Sequence, residues 1–335
     1  MRLLIAEGRV DHVLKALASA RLTLAFFLLM AAASLASVYY PEHITAFVTP
    51  PLVLLLLNLV AAILSVPRFR ADLPLLLLHL ALLALVALMA AARLYYFKGV
   101  VRLSAGAEFK GEYMHIERGP LHGDDASRLR FANEGLKEYA PPGGWPVTYN
   151  RVRWEDSDGS PQWTDIGNDR YLVLDGYRIY ATMSRGFEPM FEWHPAQGEP
   201  ELGTVAVPYT FADDFPEAIT ATLPGGKEVW VQLVSSEQGE LDGTREDLGA
   251  HSLAHTITLR ADDQRFEMKP GSSVELAGGR LTYRELGTWM IYRVVYDPTP
   301  PWMTASVLVG AASLLWFYAR LWRKPRPGKT MDKEI

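Results

Sequence analysis

The chain has 335 residues, 49% of them hydrophobic, and a formal net charge of −5, which leaves no basic footprint of the kind a nucleic-acid-binding protein needs. It contains no cysteine, so thiol–disulfide chemistry, iron–sulfur ligation and cysteine-based zinc sites are excluded. The average composition resembles that of a soluble protein only because a polar half of the chain dilutes a very apolar remainder.

Four windows hold that remainder: 22–40, 47–66, 73–97 and 302–322. Each is close to the ~20 apolar residues that cross a ~30 Å hydrocarbon core, so four transmembrane helices are expected, three followed by one. The first is not read as a cleaved signal peptide, because its run is too long for such a segment and two further spans follow it closely. Lys and Arg in the short loops set the orientation. Arg2, Arg9, Lys15 and Arg21 precede the first span, Arg68 and Arg70 lie in the second loop, and Arg320, Arg323, Lys324, Arg326 and Lys329 follow the last. The first loop, 41–45, has Glu42 and no Lys or Arg. Arg93 and Lys98, at the outer end of the third span, run against this pattern but are outnumbered. The expected organisation is a cytoplasmic segment 1–21, three spans over 22–98, an extracytoplasmic β-rich domain over 99–300, a fourth span 301–322 and a cytoplasmic tail 323–335.

Between Gly99 and Pro300 the texture changes to short alternating segments broken by Gly, Pro, Asn and Asp. Strands are expected over 147–154, 171–183 with a break at Gly176, 228–234, 252–260, 280–284 and 288–296. Hairpin turns are expected at Gly225-Gly226 and Gly278-Gly279. The segment 122–144 reads as a long polar loop with one short helix. An antiparallel sandwich or partly open barrel results, with no helix–strand alternation of the nucleotide-binding kind. At about 200 residues such a domain can bury a core without disulfides.

The chain has no P-loop, GxSxG elbow, HExxH or GxGxxG motif. Gly143-Gly144 reads as a turn. Asp124-Asp125, Asp213-Asp214 and Asp262-Asp263 are adjacent carboxylates that point to opposite faces of a strand and read as solvated charges. His251 and His255 share a face at a spacing that suits a metal pair, yet a surface or core role is the simpler reading. His43, in the short outer loop, reads as solvated. Tyr39, Tyr40, Tyr95, Tyr96, Phe97, Trp302 and Trp322 fit the interfacial aromatic belt.

His79 stands apart, because it lies inside the third span among apolar residues. Ionisable groups within spans are rare and face the bundle interior. Two readings stay open on chemistry alone. A neutral imidazole can ligate haem iron or relay a proton, or it can hydrogen-bond a neighbouring helix, for instance at Asn58 in the second span.

The order of spans and domain resembles the ResB/CcsB family of cytochrome c biogenesis proteins, and local runs carry the likeness along nearly the whole chain. Leu17-Ala18-Ser19-Ala20-Arg21-Leu22-Thr23-Leu24 resembles the family's approach to its first span. His79-Leu80, followed by Phe97-Lys98-Gly99-Val100-Val101-Arg102-Leu103-Ser104-Ala105-Gly106, resembles its third span and the strand after it. Leu174-Asp175-Gly176-Tyr177-Arg178-Ile179-Tyr180 and Gly186-Phe187-Glu188-Pro189-Met190 resemble its outer-domain segment. The resemblance implies the haem delivery and attachment machinery called system II, in which such a subunit works with a CcsA/ResC-type membrane partner. Haem b would be held transiently and presented to apocytochrome c for covalent attachment. The family's third-span histidine is its proposed haem ligand, and His79 matches that position. Arg93, Lys98 and Arg102 are expected to meet haem propionates, against simple interfacial snorkelling. The chain has no counterpart to the partner's tryptophan-rich haem motif, so it is expected to be one component of a holocytochrome c synthase rather than a catalyst alone, placed in the bacterial cytoplasmic membrane. Two rivals stand beside it: a haem-free scaffold or sensory module, and an accessory subunit of a membrane redox complex.

Overall fold

The computed structural model describes residues 12–140, 147–167, 169–209, 218–223, 226, 228–235, 243–246 and 254–323. Gly143-Gly144, Asp213-Asp214, Gly225, His251, the first two arginines and the basic tail from Lys324 lie outside these residues. The chain divides into two compact units. One holds the helices, from the N-terminal side to Phe97, with Glu117–His122 and everything from Asp297; the other holds Lys98–Ile116 and Gly123–Tyr296.

Four helices in the first unit are long and apolar enough to cross a membrane. Helix α1 (Ala20–Tyr39) begins at Ser19, whose backbone is extended and whose side-chain oxygen accepts the Arg21 N–H, satisfying one of the donors a helix start leaves open. A short 3₁₀ turn (Pro41–His43) leads into α2 (Ile44–Ser65). The five-residue α3 (Pro67–Ala71) links it to α4 (Leu73–Tyr95), and α5 (Pro300–Arg323) comes after the β-rich unit. Proline opens α3, α4 and α5 within their first two positions, where its missing N–H costs nothing. Helix α4 ends at Tyr95, two residues before the expected limit, because Phe97 already belongs to a strand.

Inside this unit, Val48 and Leu52 of α2 pack with Ala90 of α4, and Gly310 of α5 lies close enough to Ala81 that an added Cβ would sit 3.5 Å from it. Small residues let apolar helices approach where no water drives them together. Asn58 is the polar tie: its amide nitrogen donates to the Leu17 carbonyl and its oxygen accepts from the Thr23 hydroxyl at 2.8 Å.

The second unit is antiparallel β structure. An eight-stranded sheet runs β2-β1-β16-β7-β6, with β15 added to β16 and β8 and β9 to β7. Its backbone is the pair β7 (Tyr177–Pro195) and β16 (Gly279–Tyr296). The remaining members are β1 (Phe97–Ser104), β2 (His115–Arg118), β6 (Tyr171–Leu174), β8 (Glu201–Thr204), β9 (Val207–Tyr209) and β15 (Ser273–Leu276). A second sheet orders β12 (Gly243–Glu246), β3 (Ala132–Ala140), β4 (Val147–Glu155) and β5 (Pro161–Ile166). The third orders β10 (Ile219–Thr222), β11 (Glu228–Ser235), β13 (His255–Ala261) and β14 (Gln264–Met268).

The two long strands serve two cores. Phe187, Phe191, Leu281, Tyr283 and Leu286 pack with Val231, Leu233, Ile257 and Leu259 of the third sheet. Nearer the other end of β16, Tyr292 meets Phe131 at 5.5 Å, and Phe131 stacks on Phe109 at 5.2 Å. Each fully buried large side chain contributes roughly 1.5–3 kcal/mol.

Two expectations need correction. The strands expected over 280–284 and 288–296 are one strand: Gly287 pairs with Glu188 and continues the ladder, while register shifts fall at Tyr283/Glu285 and Met290/Tyr292. The loop expected over 122–144 has its short helix at Asp125–Arg128 but also contains β3. That strand is too polar to read as one because its inward positions include Asn133, wholly buried and hydrogen-bonded inside the domain. The Gly176 break is the β6–β7 hairpin, in which Asp175 and Gly176 both adopt positive φ, the backbone of a type I′ turn.

Candidate functional site

His79 sits in the second turn of α4. Its Nδ1 is 2.7 Å from the Leu75 carbonyl, one helical turn back, and its ring stacks on Phe69 of α3 with centroids 4.0 Å apart. A carbonyl can only accept, so Nδ1 carries the proton, and in the neutral ring Nε2 is the nitrogen with the lone pair. This backbone tie is the usual way a ligating histidine has its tautomer and ring plane fixed. Nε2 has no hydrogen-bond partner among the described residues. The expected contact with Asn58 is not made, because Asn58 is occupied by Leu17 and Thr23. His79 shares a helix face with Val86 and Ala90, seven and eleven residues on, which pack toward α2.

Arg320 of α5 pairs with Asp72 at 2.9 Å, immediately before α4. The contacts of Asn58 bring the start of α1 against the last part of α2. Arg21, Arg68, Arg70, Arg320 and His79 therefore gather toward one end of the helical unit.

The three cations expected to meet propionates lie on two different elements. Arg93 is fourteen residues along the same continuous helix, ~21 Å of rise at ~1.5 Å per residue, farther than a haem's propionates reach from its iron. Lys98 and Arg102 lie in the other unit, on β1. Arg102 is engaged there: its Nη2 is 3.9 Å from Oε1 of Glu188, a carboxylate only 4% exposed, and its guanidinium lies 5.9 Å from the Trp289 ring. Thr204 donates to the same Glu188 oxygen at 3.0 Å. Sequence reasoning missed this pair because its members are far apart in the chain and meet only through the β1-β16-β7 order.

The other histidines divide as follows. His43 has a side chain 62% exposed, beside Glu42 at 3.8 Å. His255 is hydrogen-bonded through Nε2 to the Tyr283 hydroxyl at 2.7 Å on the edge of a core, which makes it a packing residue. His122, not singled out by the sequence, stacks on Phe97 at 4.9 Å with Nδ1 3.0 Å from the Tyr95 carbonyl. Asp262 and Asp263 form the β13–β14 turn, both at positive φ, and Asp262 accepts the Ala277 N–H. Among the described residues no group of three or more His, Asp or Glu could hold a metal ion. Compared with known proteins, the chain matches no protein-family model and no curated protein sequence.

Proposed function

We propose that this chain is a haem-handling membrane subunit of cytochrome c biogenesis in which His79 offers one axial ligand to haem iron. The observation that carries the reading is the setting of that imidazole: Nδ1 tied to Leu75, one face covered by Phe69, and Nε2 without a hydrogen-bond partner among the described residues, in a helix of membrane length. A ligand held in one tautomer and one plane suits a metal, and iron is the metal that neutral imidazole serves in haem proteins. One histidine supplies one axial position, so the second comes from a CcsA/ResC-type partner.

The four helices span the bilayer with both chain ends on the cytoplasmic side, where Arg21, Arg68, Arg70 and Arg320 gather, in keeping with retention of Lys and Arg on that side. The β-rich unit then lies outside and holds apocytochrome c beside the partner. Its contribution is positional: a captured thiol pair and a held haem react at a raised effective concentration. Arg93 is too far along α4 to meet the propionates of a haem on His79.

The test is the absorption spectrum of the detergent-purified chain, co-expressed with its presumptive partner, for wild type and His79→Ala. Haem lost from an assembled complex supports the reading. Unchanged haem assigns His79 to packing and makes the chain a haem-free scaffold.

A further inference from the structure

An edge strand leaves a row of N–H and C=O groups unpaired, and proteins guard such rows with charged side chains or proline. The sheets of the β-rich unit end on several edges. Among the described strands, β2, β5, β8, β12, β14 and β15 each carry Asp, Glu or Arg, β9 carries Pro208, and β10 presents Thr220 and Thr222. Strand β6 has none of these guards. It reads Tyr171-Leu172-Val173-Leu174 and pairs with β7 on one side and with no described strand on the other. Leu172 is buried, whereas Tyr171 is 47% and Val173 52% exposed.

The register fixes which backbone groups of β6 face out. Asp175-Gly176 is a two-residue turn, closed by a bond between the residues on either side of it, and bonded pairs alternate along an antiparallel ladder. Leu174–Tyr177 and Leu172–Ile179 are therefore the bonded pairs. The N–H and C=O of Tyr171 and Val173 point away from β7, and no described backbone group pairs with them. Such an edge is complementary to itself. Antiparallel pairing about Leu172 sets Tyr171 of each copy opposite Val173 of the other, so that all the outward N–H groups meet outward C=O groups. It also lays tyrosine against valine on one face, an aromatic–β-branched pair of the kind that stabilises sheets. No charges are apposed within the segment. The carboxylates nearest in sequence flank it: Asp169, 4.0 Å from Arg170, and Asp175, where the chain already turns back into β7. A foreign extended strand would find the same hydrogen bonds, but a second copy also supplies the matching side chains.

We propose that two copies of this chain associate through β6, antiparallel about a twofold axis at Leu172, and so join their eight-stranded sheets into one. The association uses the β-rich unit alone and is independent of haem.

The test uses the full chain in detergent, where size-exclusion light scattering is expected to show a dimer. Val173→Pro removes an N–H that the ladder to β7 does not use, at an edge position that tolerates proline, and takes two hydrogen bonds from the dimer. The dissociation constant is expected to rise about thirtyfold, while denaturant unfolding stays that of wild type. Because the chain has no cysteine, the register is read by oxidation of introduced thiols. Directly opposed Cα atoms lie ~5.5 Å apart, within reach of a disulfide, whereas like positions of the two copies lie ~7–8 Å apart and cannot be bridged without backbone movement. Tyr171→Cys and Val173→Cys chains are expected to form a disulfide-linked dimer when mixed and none when each is oxidised alone. Should the proline variant fail to fold, this disulfide pattern decides. A monomeric wild type, a dimer indifferent to Val173→Pro, or disulfides formed as readily by each single variant as by the mixture overturns the proposal. A monomer that instead binds a labelled peptide bearing a thiol pair, and loses it with Val173→Pro, overturns it in favour of an incoming foreign strand.

Discussion

Asn150 is wholly out of water, and each polar atom of its amide is used: Nδ2 donates to Asn133 Oδ1 and to the Gly135 carbonyl, both at 2.8 Å, and Oδ1 accepts the Tyr292 hydroxyl. Asn133 in turn donates to the Leu103 carbonyl at 2.9 Å. The network joins β1, β3, β4 and β16. Removing one member leaves its partners buried and unpaired, at ~1–3 kcal/mol per group. Tyr292→Phe is therefore expected to lower stability by about that amount, and Asn150→Ala, which strands several groups, by more; denaturant unfolding followed by tryptophan fluorescence measures both. Buried tyrosines also set the alkaline limit. Burial pushes the Tyr177 phenol up to about 12, with Asp125 adding to the effect, and raises Tyr113, Tyr283 and Tyr292 further. The neutral form is the one the fold favours. Between pH ~10, where the unfolded chain loses these protons, and ~12, the native state binds more protons than the unfolded one, so stability falls as pH rises. Stability that is flat across neutral pH and drops only above ~10 is expected; stability flat to pH 12 contradicts it.

Among the elements, helix α1 is tied to α2 by Asn58 as well as by the packing of Met30 on Val48 and Leu52, and Asn58→Leu is expected to weaken that pairing by ~0.6–1.7 kcal/mol, the range of hydrogen bonds between membrane helices. Unfolding of the full chain in mixed detergent measures it. In the β-rich unit, Gly186 lies where an added Cβ would meet the Val207 carbonyl and come within 2.8 Å of the Trp289 ring. Gly186→Ala is expected to break the β7–β9 pairing and abolish the folded domain. Gly106→Ala, a positive-φ turn with open space, costs about 1 kcal/mol by comparison. The four long apolar helices were legible in the sequence because each fills an almost unbroken apolar window of membrane-crossing length. The hairpin at Gly278 was legible because positive φ favours glycine, and Gly176 was legible only as a break. Strand β3 was hidden, because Asn133 earns its buried place only through residues brought by other strands. His79 was legible as an oddity in an apolar helix. The tie to Leu75, the cover from Phe69 and the Arg102–Glu188 pair needed the fold.

Across the whole molecule, the proposed topology makes opposite demands on two positions. A single cysteine at Ser157, in the β4–β5 turn, should react with a membrane-impermeant thiol reagent in intact spheroplasts. One at Ala71, at the end of α3, should react only after the membrane is opened. The reverse pattern would invert the chain, and equal labelling would remove it from the bilayer. The account's central claim is that His79 presents Nε2 to haem iron, and the most direct measurement is chemical rescue. His79→Gly, purified with its presumptive partner and titrated with imidazole, is expected to lack the wild-type haem absorption and to regain it as imidazole fills the vacated place. A variant that keeps the wild-type spectrum without imidazole would contradict the claim.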